Sequence, residues 1–120
     1  MTKATVFKRR DFNFVPAVTP TGSTSIARII NSSVSRHMGA GVEYLENSTI
    51  DWTVTYDEIL FICEGSLTLK FDDGAHECTA GDIVWLPKGT RLKYIAEGRA
   101  GYFYALYPVD WAKRQNTAEP

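Results

Sequence analysis

The stretch DWTVTYDEILFICEGSL, Asp51 to Leu67, decides how the chain reads. The run EILFICEG begins on Glu58 and closes on Gly65. SLTLKF then resumes with Leu67, Leu69 and Phe71 on one face, the period-2 pattern of a strand. Asp72-Asp73-Gly74 is a tight-turn signal, and AHECTA is the return strand of that hairpin.

Outward from this stretch the pattern repeats. TVFKRRDFNF offers Val6, Phe12 and Phe14 as anchors, and SIARII alternates and is rich in β-branched residues. GAGVEYLE and DWTVTY precede the opening run. Ala80-Gly81-Asp82 turns the chain into IVWLP, and Pro87-Lys88-Gly89 turns it into RLKYIA. Glu97 to Gly101 reads as a loop and YFYALYP as the last strand. PVDWAKRQ alone reads as a short C-terminal helical segment, with Asp110 placed as N-cap before Trp111, and Gln115 to Pro120 as a frayed end. Eight or more short strands at this spacing predict an all-β sandwich or barrel.

The composition excludes several classes. The chain has 120 residues, 44% hydrophobic and 22% charged, the balance of a folded domain with a core of its own. A net charge of −1 gives no footprint for nucleic acid or an anionic membrane, and Lys8-Arg9-Arg10 is followed at once by Asp11. Cys63 and Cys78 share no CxxC spacing and read as buried, reduced thiols. No apolar run suits a signal peptide or a membrane span, so the two sequons at Asn31 and Asn47 carry little weight and a cytoplasmic protein is expected.

Two turns carry more than periodicity. Glu58 is followed by six residues and Gly65; Gly81 is followed by five residues, Pro87, one residue and Gly89. In that order, with one hairpin between, they resemble the two cupin motifs. The resemblance implies a single-domain cupin over residues 1–120, an RmlC-like jelly-roll β-barrel with its motif core at about 39–111. The wording WTVTYDEILFICEGSLTL, AGDIVWLPKGTRLKY and FYALYPVDW is similar to the EutQ family of ethanolamine utilisation proteins. That likeness implies a place in ethanolamine catabolism, association with a bacterial microcompartment, and an acetate kinase activity that would require Mg²⁺ and ATP.

By the same resemblance, cupin metals are held by an H-x-H pair, a glutamate four residues on, and a third histidine three residues past the glycine of the second motif. Those slots fall on Trp52, Val54, Glu58 and Leu92. One carboxylate with three apolar residues is not a transition-metal site, so no metal is expected. A relocated set would have to use His37, Glu43 and Glu58, with His37 opening a strand that lines the barrel. A lone histidine before a glycine turn is more often a rim residue, and His76 reads as an exposed hairpin residue.

What remains is a small-molecule pocket around Glu58, walled by Trp52, Val54, Tyr56, Leu92, Tyr94 and Tyr104. The apolar replacements can equally plug the cavity. Desolvation would raise the Glu58 carboxyl while tyrosine donors oppose the rise, which suits Glu58 to acid–base work with Tyr56 beside it; a purely structural glutamate is the alternative. Asp57 points to the opposite face. Lys88 and Lys93 are the candidate rim cations. Two functions stay open: an enzyme of EutQ type acting on a small metabolite, or a non-catalytic ligand-binding or assembly module. A homodimer is expected through an apolar N-terminal strand carrying Phe7, Phe12 and Phe14.

Overall fold

A computed structural model describes residues 3–113, so the expected frayed end at 115–120 lies outside the described residues. Seven strands are formed: β1 (Val15–Val18), β2 (Ser23–Ile30), β3 (Gly39–Thr53), β4 (Asp57–Phe71), β5 (Gly74–Thr79), β6 (Ile83–Leu86) and β7 (Arg91–Tyr107). All pairings are antiparallel, in the order β1-β2-β3-β7-β4-β5, with β6 on β4. No ladder among the described residues joins β1 to β5, so the sheet is rolled but unclosed.

The all-β expectation holds, but the strands are fewer and longer than expected. β3, β4 and β7 run for 15, 15 and 17 residues. GAGVEYLE and DWT are one strand, as are EILFICEG and SLTLKF, and as are RLKYIA and YFYALY. The expected loop at Glu97–Gly101 lies within β7. The residues that signal turns here make bulges instead. Register shifts fall between Glu46 and Ser48, between Ile62 and Glu64, and between Gly65 and Thr68. Asn47 takes φ 48°, and its side-chain carbonyl accepts a hydrogen bond from the Gly98 amide at 2.9 Å, tying one bulge to the next.

These bulges form one line across three neighbouring strands. On one side β2, β3, β7, β4 and β6 pair; on the other the far halves of β3, β7 and β4 pair with β5. The two layers share one core, in which Leu45, Leu60 and Ile62 pack with Leu67, Leu69, Leu92 and Cys78. Gly65 sits on the bend with φ 73°, and a β-carbon there would lie 2.0 Å from the Arg99 carbonyl oxygen. Only glycine allows that conformation and that approach.

The N-terminal segment departs from expectation. Val6 to Phe14 forms no strand, only a 3₁₀ turn at Arg9–Asp11, and β1 begins at Val15. Phe12 packs on Phe14, and Phe14 on Tyr44 with centroids 5.7 Å apart. The guanidinium groups of Arg9 and Arg99 stand 5.4 and 4.1 Å from the Tyr44 ring. These aromatics are used within the chain. Both cysteines are free, but Cys63 is exposed on the outer face of β4 while Cys78 is buried. At the other end β7 closes in a cis Tyr107–Pro108 bond, and the expected helical segment begins at Trp111 to Lys113.

Candidate functional site

Strand parity assembles the site. In the first half of β3, Gly39, Gly41, Glu43 and Leu45 share the inner face; the bulge at Asn47 hands that face to Ser48, Ile50 and Trp52. The even positions then stay inside through the β3–β4 turn, with Val54, Tyr56, Glu58, Leu60 and Ile62 all buried. In β7, Leu92, Tyr94, Tyr102, Tyr104 and Leu106 take the same face. Asp57 points outward, as alternation predicts.

The second motif holds the first in place. The Lys88 amide donates to Asp57 Oδ1 at 2.8 Å, the Gly89 amide to the Val54 carbonyl at 2.8 Å, and the Val54 amide to the Thr90 carbonyl at 2.9 Å. The Pro-Lys-Gly turn therefore fixes the short segment that delivers Tyr56 and Glu58. Lys88 and Lys93 do not become the rim cations: neither lines the cavity, and Lys93 Nζ lies 3.7 Å from Asp51.

Between the two layers opens a cavity of about 350 Å³. Trp52, Tyr56 and Trp111 form one wall: Trp52 Nε1 donates to the Tyr56 hydroxyl at 3.0 Å, Tyr56 and Trp111 have centroids 4.9 Å apart, and the two indoles meet edge to face. Tyr94, Tyr102 and Tyr104 line it from β7, the first two stacked at 6.2 Å. Gly41 lets Tyr104 lie across β3, since a β-carbon there would sit 2.7 Å from the phenol oxygen. The charged residues lining the cavity are Glu43, Glu58 and Arg28.

Of the residues expected here, Trp52, Tyr56, Glu58, Tyr94 and Tyr104 come together. Val54 and Leu92 do not reach the wall. They are 0% and 3% exposed and belong to the buried core. His37 is exposed in the segment before β3, not on a lining strand, and its carbonyl accepts from the Val109 amide at 2.8 Å. It does not join Glu43 and Glu58, and no group of three or more His, Cys, Asp or Glu converges on a metal position among the described residues. His76 is exposed, 3.4 Å from Asp73.

The two carboxyl groups differ in their support. Tyr102 donates its hydroxyl to Glu43 Oε1 at 2.5 Å. Glu58 is 6% exposed, and its Oε1 is buried without a hydrogen-bond partner. The tyrosine donor expected at Glu58 thus serves Glu43 instead. Burial, and then the charge of Glu43, pushes the Glu58 carboxyl up to about 8. Burial also raises Glu43, opposed by the Tyr102 hydrogen bond and by Arg28. Tyr104 is pushed to about 12 by burial, with Arg28 opposing and both glutamates adding; Tyr56 rises by burial and the Glu58 charge. A carboxyl raised that far is held largely in its neutral form near neutral pH.

Arg28, Tyr102 and Trp111 were not foreseen as wall residues. For Arg28 a signal existed: in SIARII it shares the face of Ile26 and Ile30, a charge on an otherwise apolar stripe. Tyr102 has the same parity as Tyr104. Trp111 is brought in only by the turn after β7, which no local pattern announces.

Comparison with known proteins adds identity to this geometry. The family model described as ethanolamine utilisation protein EutQ matches residues 2–113. The chain is 31% identical over 80 residues to "Acetate kinase EutQ" of Clostridioides difficile (strain 630), covering 67% of this chain and 51% of that protein. It thus spans about half the length of that curated relative. A solved EutQ structure from Clostridium difficile superposes with a TM-score of 0.72 at 27% identity, covering 77% of this chain and 73% of that one. A sugar phosphate isomerase of the cupin superfamily from Silicibacter pomeroyi superposes with a TM-score of 0.69 at 19% identity, over 86% of this chain and 75% of the other. The last likeness is one of fold: this chain has the cupin fold.

Proposed function

Since the chain belongs to the EutQ family of ethanolamine utilisation proteins, we propose that its cavity holds a small metabolite of the ethanolamine and acetate route, with Glu58 as the acid–base group. The observation that carries this reading is the Glu58 carboxyl oxygen, buried on the cavity wall with no partner. A buried polar atom left unpaired costs about 1–3 kcal/mol, and a ligand donor would recover it. Tyr56, fixed by Trp52, lines the same cavity as that acid. The proposed unit is one cupin domain, acting where the ethanolamine system acts, inside its microcompartment. A thermal-shift screen over small amines, short carboxylates and phosphates, with and without divalent metal, tests it. Stabilisation by one class that disappears in Glu58→Gln supports the pocket; no stabilisation by any class defeats it.

Acetate kinase is the name of the C. difficile relative, of which this chain spans about half. Phosphoryl transfer from ATP calls for Mg²⁺ and several groups that neutralise phosphate charge. The cavity sets one guanidinium, Arg28, against two carboxyl groups, a donor set that does not fit a magnesium–polyphosphate. Acetyl phosphate formation by the parent and by Glu58→Gln decides whether this chain performs that reaction with Glu58 taking part.

A second reading, an assembly module, is favoured by the outer face of the sheet. Ile59, Phe61, Ile83, Trp85 and Phe103 are exposed there on adjacent strands. The partner we infer is a second copy of the chain, meeting it through that face. Light scattering tests the homodimer.

A further inference from the structure

We propose that the group bound in this cavity is the ammonium of a small amine-bearing metabolite, seated on Glu58 and walled by Trp52, Tyr56 and Trp111. The inference rests on the pocket reading above and narrows it to a ligand charge.

The cavity that Glu58 lines has an aromatic wall in Trp52, Tyr56 and Trp111. Three electron-rich rings, two of them indoles, meet at 4.9 to 6.2 Å between centroids. Faces of Trp and Tyr attract an ammonium within about 6 Å of the ring, Trp most strongly. Trp52 spends its N–H on Tyr56, so that donor is not offered to an anion.

Charge points the same way. Glu43 has a hydroxyl donor in Tyr102, but Glu58 Oε1 has none, although its residue is 6% exposed. Arg28 is the one cation among the lining residues, and its positive charge opposes the rise of Glu43 and Tyr104. An ammonium N–H placed on Glu58 completes the missing hydrogen bond, and its positive charge draws the raised carboxyl back to its ionised form. A carboxylate or phosphate would face the charge of Glu43 and oppose ionisation of Glu58. Arg28 remains for an oxygen at the other end of the ligand.

The test uses Trp85→Phe as background, because Trp85 is 58% exposed on the outer face and would mask the two cavity indoles. Ethanolammonium chloride, ethylene glycol and sodium acetate are titrated while tryptophan fluorescence is followed. The expected result is a saturable change with ethanolammonium and none with the neutral diol. Glu58→Gln should weaken that binding by roughly tenfold or more, as loss of a charge-assisted hydrogen bond does, and Trp111→Leu by roughly threefold or more. Thermal melts of both variants verify folding. Equal affinity in parent and Glu58→Gln overturns the proposal. Binding of acetate with no binding of ethanolammonium also overturns it, while leaving the pocket reading intact; binding of no probe defeats both.

Discussion

Glu58 shares its cavity with Glu43, whose negative charge adds to burial in lifting the Glu58 carboxyl to about 8 from an ordinary 4.5. An acid whose pKa is raised on folding binds more protons native than unfolded between those two values, so stability falls as pH rises through that window. Glu43 is raised as well and acts with the same sign. The protein should therefore be more resistant to urea at pH 5 than at pH 8.5. Glu58→Gln, which keeps the shape and discards the charge, should be more stable than the parent at pH 8 by about 1–3 kcal/mol. Its pH profile should also be flatter. A parent profile level from pH 5 to 8.5 would sink this account.

Tyr102 is fully buried and donates to Glu43 across the β3–β7 ladder, where the two are register partners. Tyr102→Phe leaves the ring and removes the donor, stranding a carboxyl oxygen. The expected loss is about 1–3 kcal/mol at pH 7 by chemical denaturation. Glu43→Gln should reduce it, because an amide oxygen is cheaper to leave unpaired than a carboxylate. A double-mutant cycle showing no coupling would mean that the hydroxyl is not what supports Glu43.

Gly41 is needed for closeness. A β-carbon there would lie 2.2 Å from the Ala27 carbonyl oxygen and 2.7 Å from the Tyr104 hydroxyl. The first neighbour is backbone of the adjacent strand and cannot step aside. Gly41→Ala should cost about 1–3 kcal/mol through overpacking and move Tyr104 into the cavity. The combined readout is a lower melting temperature together with loss of ligand-induced stabilisation. An unchanged melting temperature would show that β2 and β3 separate more easily than their ladder suggests.

Much of this architecture was legible because alternation is local. The hairpin at Asp72–Gly74, the Pro87–Gly89 turn and the inward Glu58 all follow from residues within a few positions of one another. Strand number was not legible, because Asn47 and Gly98 look like loop residues, and whether they break a strand or bulge it depends on the partner across the ladder. The site was half legible for the same reason. The cupin motif slots put Trp52 and Glu58 at the pocket with Tyr56 between them, but Arg28 and Trp111 reach the cavity from strand pairing and from the turn after β7. Val54 shows the converse: it has the right parity and lies too deep, since depth along the inner face is set by the opposite layer.

The outer face supplies the last prediction. Across β7, β4 and β6, Phe103, Phe61 and Ile83 stand in one row, and Ala105, Ile59 and Trp85 in the next. Ile83 and Trp85 are 72% and 58% exposed. Two adjoining apolar rows on a pleated face can pack on their own copy about a two-fold axis, each row meeting its counterpart. Of the N-terminal aromatics, Phe12 and Phe14 are engaged within the chain, through Phe14 on Tyr44, while Phe7 is 39% exposed, and the outer face offers the broader apolar surface. Ile83→Glu should thus convert a dimer to a monomer in light scattering at tens of micromolar while the strand signal in circular dichroism persists, because the substituted side chain already points to solvent. Phe7→Glu should leave the dimer intact. A dimer that survives Ile83→Glu but dissociates with Phe7→Glu would return the interface to the N-terminal segment.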